Sequence, residues 1–105
     1  MRLAGQLQAK TGISTVVIHK LRFAVSADSD GAFSAQGPFC DHPLKSTGAG
    51  DRFNAGYCLG LLAGGTPDDS LALGCGVSGF FVRNARSPSR TEAAIFIKSW
   101  AEGRL

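Results

Sequence analysis

Ser46-Thr47-Gly48-Ala49-Gly50-Asp51-Arg52-Phe53, followed by Asn54-Ala55-Gly56-Tyr57-Cys58-Leu59-Gly60-Leu61-Leu62, decides how this chain is read. The second half is small and apolar and predicts a helix from about Ala49 to Ala63, closed by Gly64-Gly65. A Gly-Ala-Gly turn that opens a helix gathers backbone N–H groups at one spot, where the helix dipole adds partial positive charge. Such a spot invites an anion, above all a phosphate. Asp51 then stands out, because it brings a carboxylate to the mouth of an anion site. Beside a phosphoryl group in transfer, that carboxylate can take the proton of an attacking hydroxyl. The plainer reading, an acid in the first turn of a helix behind a tight turn, leaves three consecutive small residues unexplained.

The string resembles the C-terminal signature of the ribokinase-like carbohydrate kinases, the phosphofructokinase-B family, in Thr47, Gly48, Ala49, Gly50, Asp51 and Phe53, with Asn54-Ala55-Gly56 continuing as in many members. The resemblance implies that Asp51 is the catalytic base. It implies that Gly48, Ala49 and Gly50, entered from Thr47, form the anion hole around the transferred phosphate. It also implies ATP as donor, Mg²⁺ on the nucleotide phosphates, and a sugar or nucleoside as acceptor.

Upstream of the signature, Met1 to Lys10 reads as the tail of a helix with Leu3, Leu7 and Ala4 on one face, stopped at Thr11-Gly12. Thr15-Val16-Val17-Ile18 is a β-branched run of the kind that makes a buried strand, so helix, glycine and strand form one arm of an αβ unit. Leu21, Phe23 and Val25 alternate as in a half-buried strand. Asp28-Ser29-Asp30-Gly31 is a turn, and Ala32 to Ala35 is the returning strand of a hairpin. Gly37 to Pro43 is a loop that delivers the chain to the signature.

Downstream, Thr66-Pro67-Asp68-Asp69 is a helix start, with an N-cap, a proline and acids in the first turn. That helix runs to about Val82 or Asn84 and is rich in glycine, a cost that close packing against a helix or ligand would justify. Ser89 and Glu92 spell a capping box for the last helix, with Ala93, Ile95, Phe96 and Trp100 on its apolar side. The expected class is α/β: the C-terminal part of a ribokinase-like three-layer fold, a partial sheet flanked by helices. Residues 1–105 are expected to be one domain or fragment, with the signature at 46–54.

The totals exclude several classes. The net charge of +3 comes from scattered basic residues, not a run, so nucleic acid is not an expected partner. No apolar run reaches membrane-spanning length. Three cysteines (Cys40, Cys58, Cys75) form no Cys-x-x-Cys, and no metal-ligand spacing with His19 or His42 occurs. Cys58 and Cys75 lie in apolar helical stretches and read as small buried hydrophobes. Free thiols suit a reducing, cytoplasmic setting.

By resemblance, a complete kinase is about three times as long. Its N-terminal half would supply most of the sheet, the sugar pocket and the lid, and it carries an Asn-x-x-Glu motif absent here. The resemblance places His19, Lys20, Cys75, Gly76 and Asn84 near the nucleotide. His19-Lys20-Leu21-Arg22 stands where members carry a Gly-x-x-Gly turn, and Lys45 where many carry an acid. Arg83, Arg86 and Arg90 are further candidates for phosphate. Two other readings compete with a kinase. One is a non-catalytic nucleotide- or phosphate-binding module. The other is an inactive fragment that associates through an open sheet edge.

Overall fold

A computed structural model of the protein describes residues 2–105. The chain runs α1 (Arg2–Thr11), β1 (Val16–His19), β2 (Phe23–Asp28), β3 (Gly31–Gln36), α2 (Ala49–Leu62), α3 (Pro67–Asn84) and α4 (Arg90–Ala101). The three strands form one antiparallel sheet in the order β1-β2-β3. The β2–β3 hairpin closes over Ser29-Asp30, where the Asp28 carboxylate accepts the Asp30 amide at 2.8 Å.

Helices cover the sheet on both faces, which gives the three layers expected of the class. On one face, Ala4 of α1 packs against Val25 and Ala27, with Val16 and Ile18 at the side. On the other face, Ala24 meets Phe53, Tyr57, Leu71 and Cys75 from α2 and α3. Four features depart from the sequence reading, the first of them because of this double cover. Ala24 to Ala27 are all buried, so β2 is a central strand and not a half-buried one. Leu21 lies in the preceding turn and is 85% exposed. The β-branched β1 is only half-buried, because it sits at the sheet's edge. In α1 the residue pressed to the sheet is Ala4, whose size allows close approach, while Leu3 and Leu7 face outward.

The glycines of α2 and α3 make a seam. A Cβ on Gly56 would lie 2.8 Å from the Leu73 carbonyl oxygen, and one on Gly60 2.8 Å from the Ser70 Cα. Gly74 answers from the other side, where a Cβ would meet the Phe53 ring at 2.9 Å. The glycine-rich α3 is thus explained by a neighbouring helix that comes to backbone contact. Gly76 makes room for the Ile97 side chain of α4, and Gly79 for the side chains of Pro38 and Phe96.

Candidate active site

The segment entering α2 is tied down before the helix begins. The Leu44 and Lys45 amides donate to the Val82 carbonyl at 2.7 and 3.4 Å. Gly48 then takes the left-handed conformation (φ 94°), which glycine adopts without a side-chain clash. The Ala49 amide donates back to Ser46 O at 3.1 Å, and the Arg52 amide closes the first turn on Gly48 O at 3.2 Å. Gly50 and Asp51 lie between, at first-turn positions whose amides lack an intrahelical acceptor. No side chain caps this end. The sequence reading expected the backbone of Gly48, Ala49 and Gly50 to face an anion; of these, the Ala49 amide is engaged by Ser46 O.

Two cavities flank this turn. The first, about 370 Å³, is lined by Ala49, Gly50 and Phe53 at the turn and by His19, Lys20 and Cys75 on its walls. His19 stacks on Phe53 with ring centroids 4.5 Å apart. A Cβ on Gly50 would sit 3.2 Å from His19 Cε1, so the glycine lets the imidazole lean over the turn. The second cavity, about 650 Å³, opens between α2, α3 and α4 and is lined by Asp51 and Arg52 with Leu73, Val77 and Ile97. One helix start therefore offers donors to one space and an exposed carboxylate to the other.

Of the residues that the resemblance pointed to, the structure gathers His19, Lys20, Ala49, Gly50 and Cys75 around the first cavity. Thr47 is exposed and leads into Gly48. Gly76 is not at the cavity: a Cβ there would strike Ile97 of α4 at 2.5 Å. Asn84 lines neither cavity, and its amide donates to Phe80 O at 2.9 Å. Arg83 is spent on the carbonyls of Pro38, Phe39 and Gly79. Arg86 is paired with Glu92. Cys58 is exposed, against expectation, because it lies on the side of α2 turned from α3. Burial pushes the Cys75 thiol up to about 11, so it stays protonated and apolar at neutral pH.

Arg52 went unnoticed in the sequence. It lies four residues after Gly48, a spacing that returns a helical side chain to the same face. Its guanidinium stands 4.4 Å from the Phe81 ring centre, and Nε donates to Ser87 Oγ at 3.2 Å. The His19–Phe53 stack had no sequence signal, because it joins a strand end to a helix across the fold.

A sequence profile of the prokaryotic ketohexokinases matches residues 2–100. The chain belongs to that family. Over 91 residues the chain is 31% identical to the ketohexokinase of Haloferax volcanii, which covers 87% of this chain and 24% of that enzyme. Among solved structures, phosphofructokinase-2 from Escherichia coli in complex with substrates and products superposes with a TM-score of 0.80 at 16% identity, over 95% of this chain and 33% of that one. The ligand-free nucleoside kinase of Burkholderia thailandensis gives 0.73 at 18%, over 91% and 36%. The fold is thus that of the ribokinase-like kinases, and the family is one of carbohydrate kinases. This chain spans about a quarter of the curated relative and about a third of the solved chains. Among the described residues, no helix is long and apolar enough to cross a membrane.

Proposed function

We propose that residues 1–105 form the C-terminal catalytic-turn unit of a sugar kinase that moves the γ-phosphoryl of ATP to a hydroxyl of a ketohexose-like sugar. One observation carries the reading. The start of α2 has no side-chain cap and opens first-turn donors on a cavity, while Asp51 stands on the same turn. The first cavity is of a size usual for ligand sites, and its walls suit a nucleotide: rings and aliphatic groups for a base, His19 and Lys20 for phosphates. Mg²⁺ on the nucleotide phosphates would neutralise charge as it develops. No three His, Cys, Asp or Glu side chains converge among the described residues, so the nucleotide phosphates are the natural seat of that ion.

In this reading Asp51 takes the proton of the acceptor hydroxyl. The freed oxygen forms the new bond to phosphorus as the bond to the ADP oxygen breaks. The Gly50 and Asp51 amides face the charge that gathers on the phosphoryl oxygens. Positioning dominates such transfers, so full activity calls for an acceptor pocket supplied by further chain or by a partner.

The test is calorimetric titration of this chain with ADP and Mg²⁺, alongside Asp51→Asn, and turnover of Asp51→Asn in a complete family kinase carrying this segment. The expected outcome is binding within about threefold for both chains and turnover reduced by roughly 10³-fold, within the range for loss of a general base. A folded chain that binds no nucleotide would sink the reading. A second reading, association through the outer edge of β1, rests on that edge having no strand partner among the described residues. Its sign is a solution mass of twice that of the chain.

A further inference from the structure

Arg52 is the basic residue whose surroundings are hardest to explain by packing alone. Arg86 and Arg104 pair with Glu92 and Glu102, and Arg83 donates to three carbonyls. Arg52 has no carboxylate within ion-pair distance among the described residues, although Asp51 is its chain neighbour. It is nevertheless held on three sides. Phe81 lies under the guanidinium plane, Ser87 accepts from Nε, and a Cβ on Gly48 would meet Nη1 at 2.9 Å. Lys45 adds a second cation to the same ring, with Nζ 5.9 Å from its centre. An arginine fork keeps its Nη donors in a fixed plane once Nε and the face are engaged. Here Nη1 is steered to the back of the left-handed residue that shapes the turn.

We infer that Arg52 is a positioning residue for the anion-binding turn. Its guanidinium braces Gly48 against Phe81 and Ser87 and, from its place on the second cavity, adds a positive charge that pairs with no carboxylate among the described residues to the field around a phosphate held at the turn. The inference rests on the reading of that turn as a phosphate site. It adds a device that the signature pattern does not specify, since Arg52 occupies the pattern's open position. A brace of this kind ties the first turn of α2 to the loop between α3 and α4, so the turn and that loop hold their geometry together. A neutral side chain of similar length would keep some packing and lose both the charge and the fork.

The experiment is calorimetric titration of the chain with Mg·ADP and, separately, with inorganic tripolyphosphate, at two salt concentrations, for the unaltered protein, Arg52→Ala, Arg52→Lys and Phe81→Leu. Arg52→Ala is expected to weaken both ligands by about tenfold, the scale of one charge-assisted contact, and to flatten the salt dependence. Added guanidinium ion, with sodium as control, is expected to restore most of that loss in Arg52→Ala and none in Phe81→Leu. Arg52→Lys is expected between the two, with its charge kept and its plane lost.

A folded Arg52→Ala that binds both ligands within twofold of the unaltered chain overturns the inference. So does a loss that neither salt nor guanidinium modifies, since that marks packing alone. If Arg52→Ala does not fold, Arg52→Lys decides: affinity and salt slope equal to the unaltered chain would overturn it. Tripolyphosphate bound in an Arg52-dependent way without ADP would leave the inference standing and fell the nucleotide reading. Neither ligand bound by the folded chain would fell both.

Discussion

The helices α2, α3 and α4 begin in two different ways. At α3, Thr66 accepts the Asp69 amide while Asp69 accepts the Thr66 amide, with Pro67 at the first position. At α4, Ser89 and Glu92 make the same reciprocal pair. In both, a side chain satisfies the third helical amide and another the amide of the cap residue. At α2, Gly48 brings no side chain, and the donors of Gly50 and Asp51 stay available. Two of the three helix starts carry a side-chain cap and the third does not, which accords with the anion site proposed there. Sealing stabilises by about 1 kcal/mol per cap, and forgoing it is the kind of local exception that marks a working site.

That contrast can be broken most severely at its open end. Gly48→Ala forces a Cβ into a left-handed residue and against Arg52 Nη1. The expected cost is about 1–2 kcal/mol of stability in denaturant unfolding, with ADP affinity lowered as the turn deforms. Unchanged affinity would mean that the open end has no role in binding. Thr66→Ala tests a sealed end. It should cost about 1 kcal/mol by the same unfolding measurement and leave ADP binding untouched, since α3 starts far along the chain from the turn. A loss of affinity there would erase the distinction.

The smallest effect belongs to the α4 start. The Arg86 guanidinium, bonded at 2.8 and 2.5 Å, and the Ser89 amide hold the Glu92 carboxyl down at about 2. A carboxyl lowered on folding stabilises above its ordinary value and loses that contribution as pH falls through its folded value. Thermal scans of Glu92→Gln against the unaltered chain should therefore show a gap at pH 7 that narrows below about pH 4.5 and closes near pH 2. Because the pair is exposed, added salt should shrink the gap at neutral pH.

The sequence made most of this legible where local chemistry decides structure. Glycines and prolines ended and began helices where expected, and both capping boxes could be read from Thr66, Asp69, Ser89 and Glu92. The hairpin turn at Asp28 to Gly31 was equally plain. What stayed hidden depends on neighbours distant in the chain. Val16 to Ile18 have the composition of a buried strand, and only the sheet order reveals them as an edge. Ala24 and Ser26 are buried because α2 and α3 cover them, which no alternation pattern in a six-residue strand could announce. Asp51 and its turn were visible as a motif. The partition of that turn between two cavities, the Ala49 amide's engagement with Ser46, and the packing of Gly76 against α4 were not. Arg52 had a signal in its four-residue spacing from Gly48, but its partners Phe81 and Ser87 are separated from it by a whole helix.

The glycine seam gives α2 the character of a ruler. Gly56 and Gly60 can meet α3 only at one angular setting, and Asp51 lies at a fixed count before them. One residue inserted between Asp51 and Gly56 would turn the signature by about 100° and advance it by about 1.5 Å. The amides would leave the first cavity while the seam stayed closed. Length along this stretch of sequence is therefore as tightly specified as residue identity.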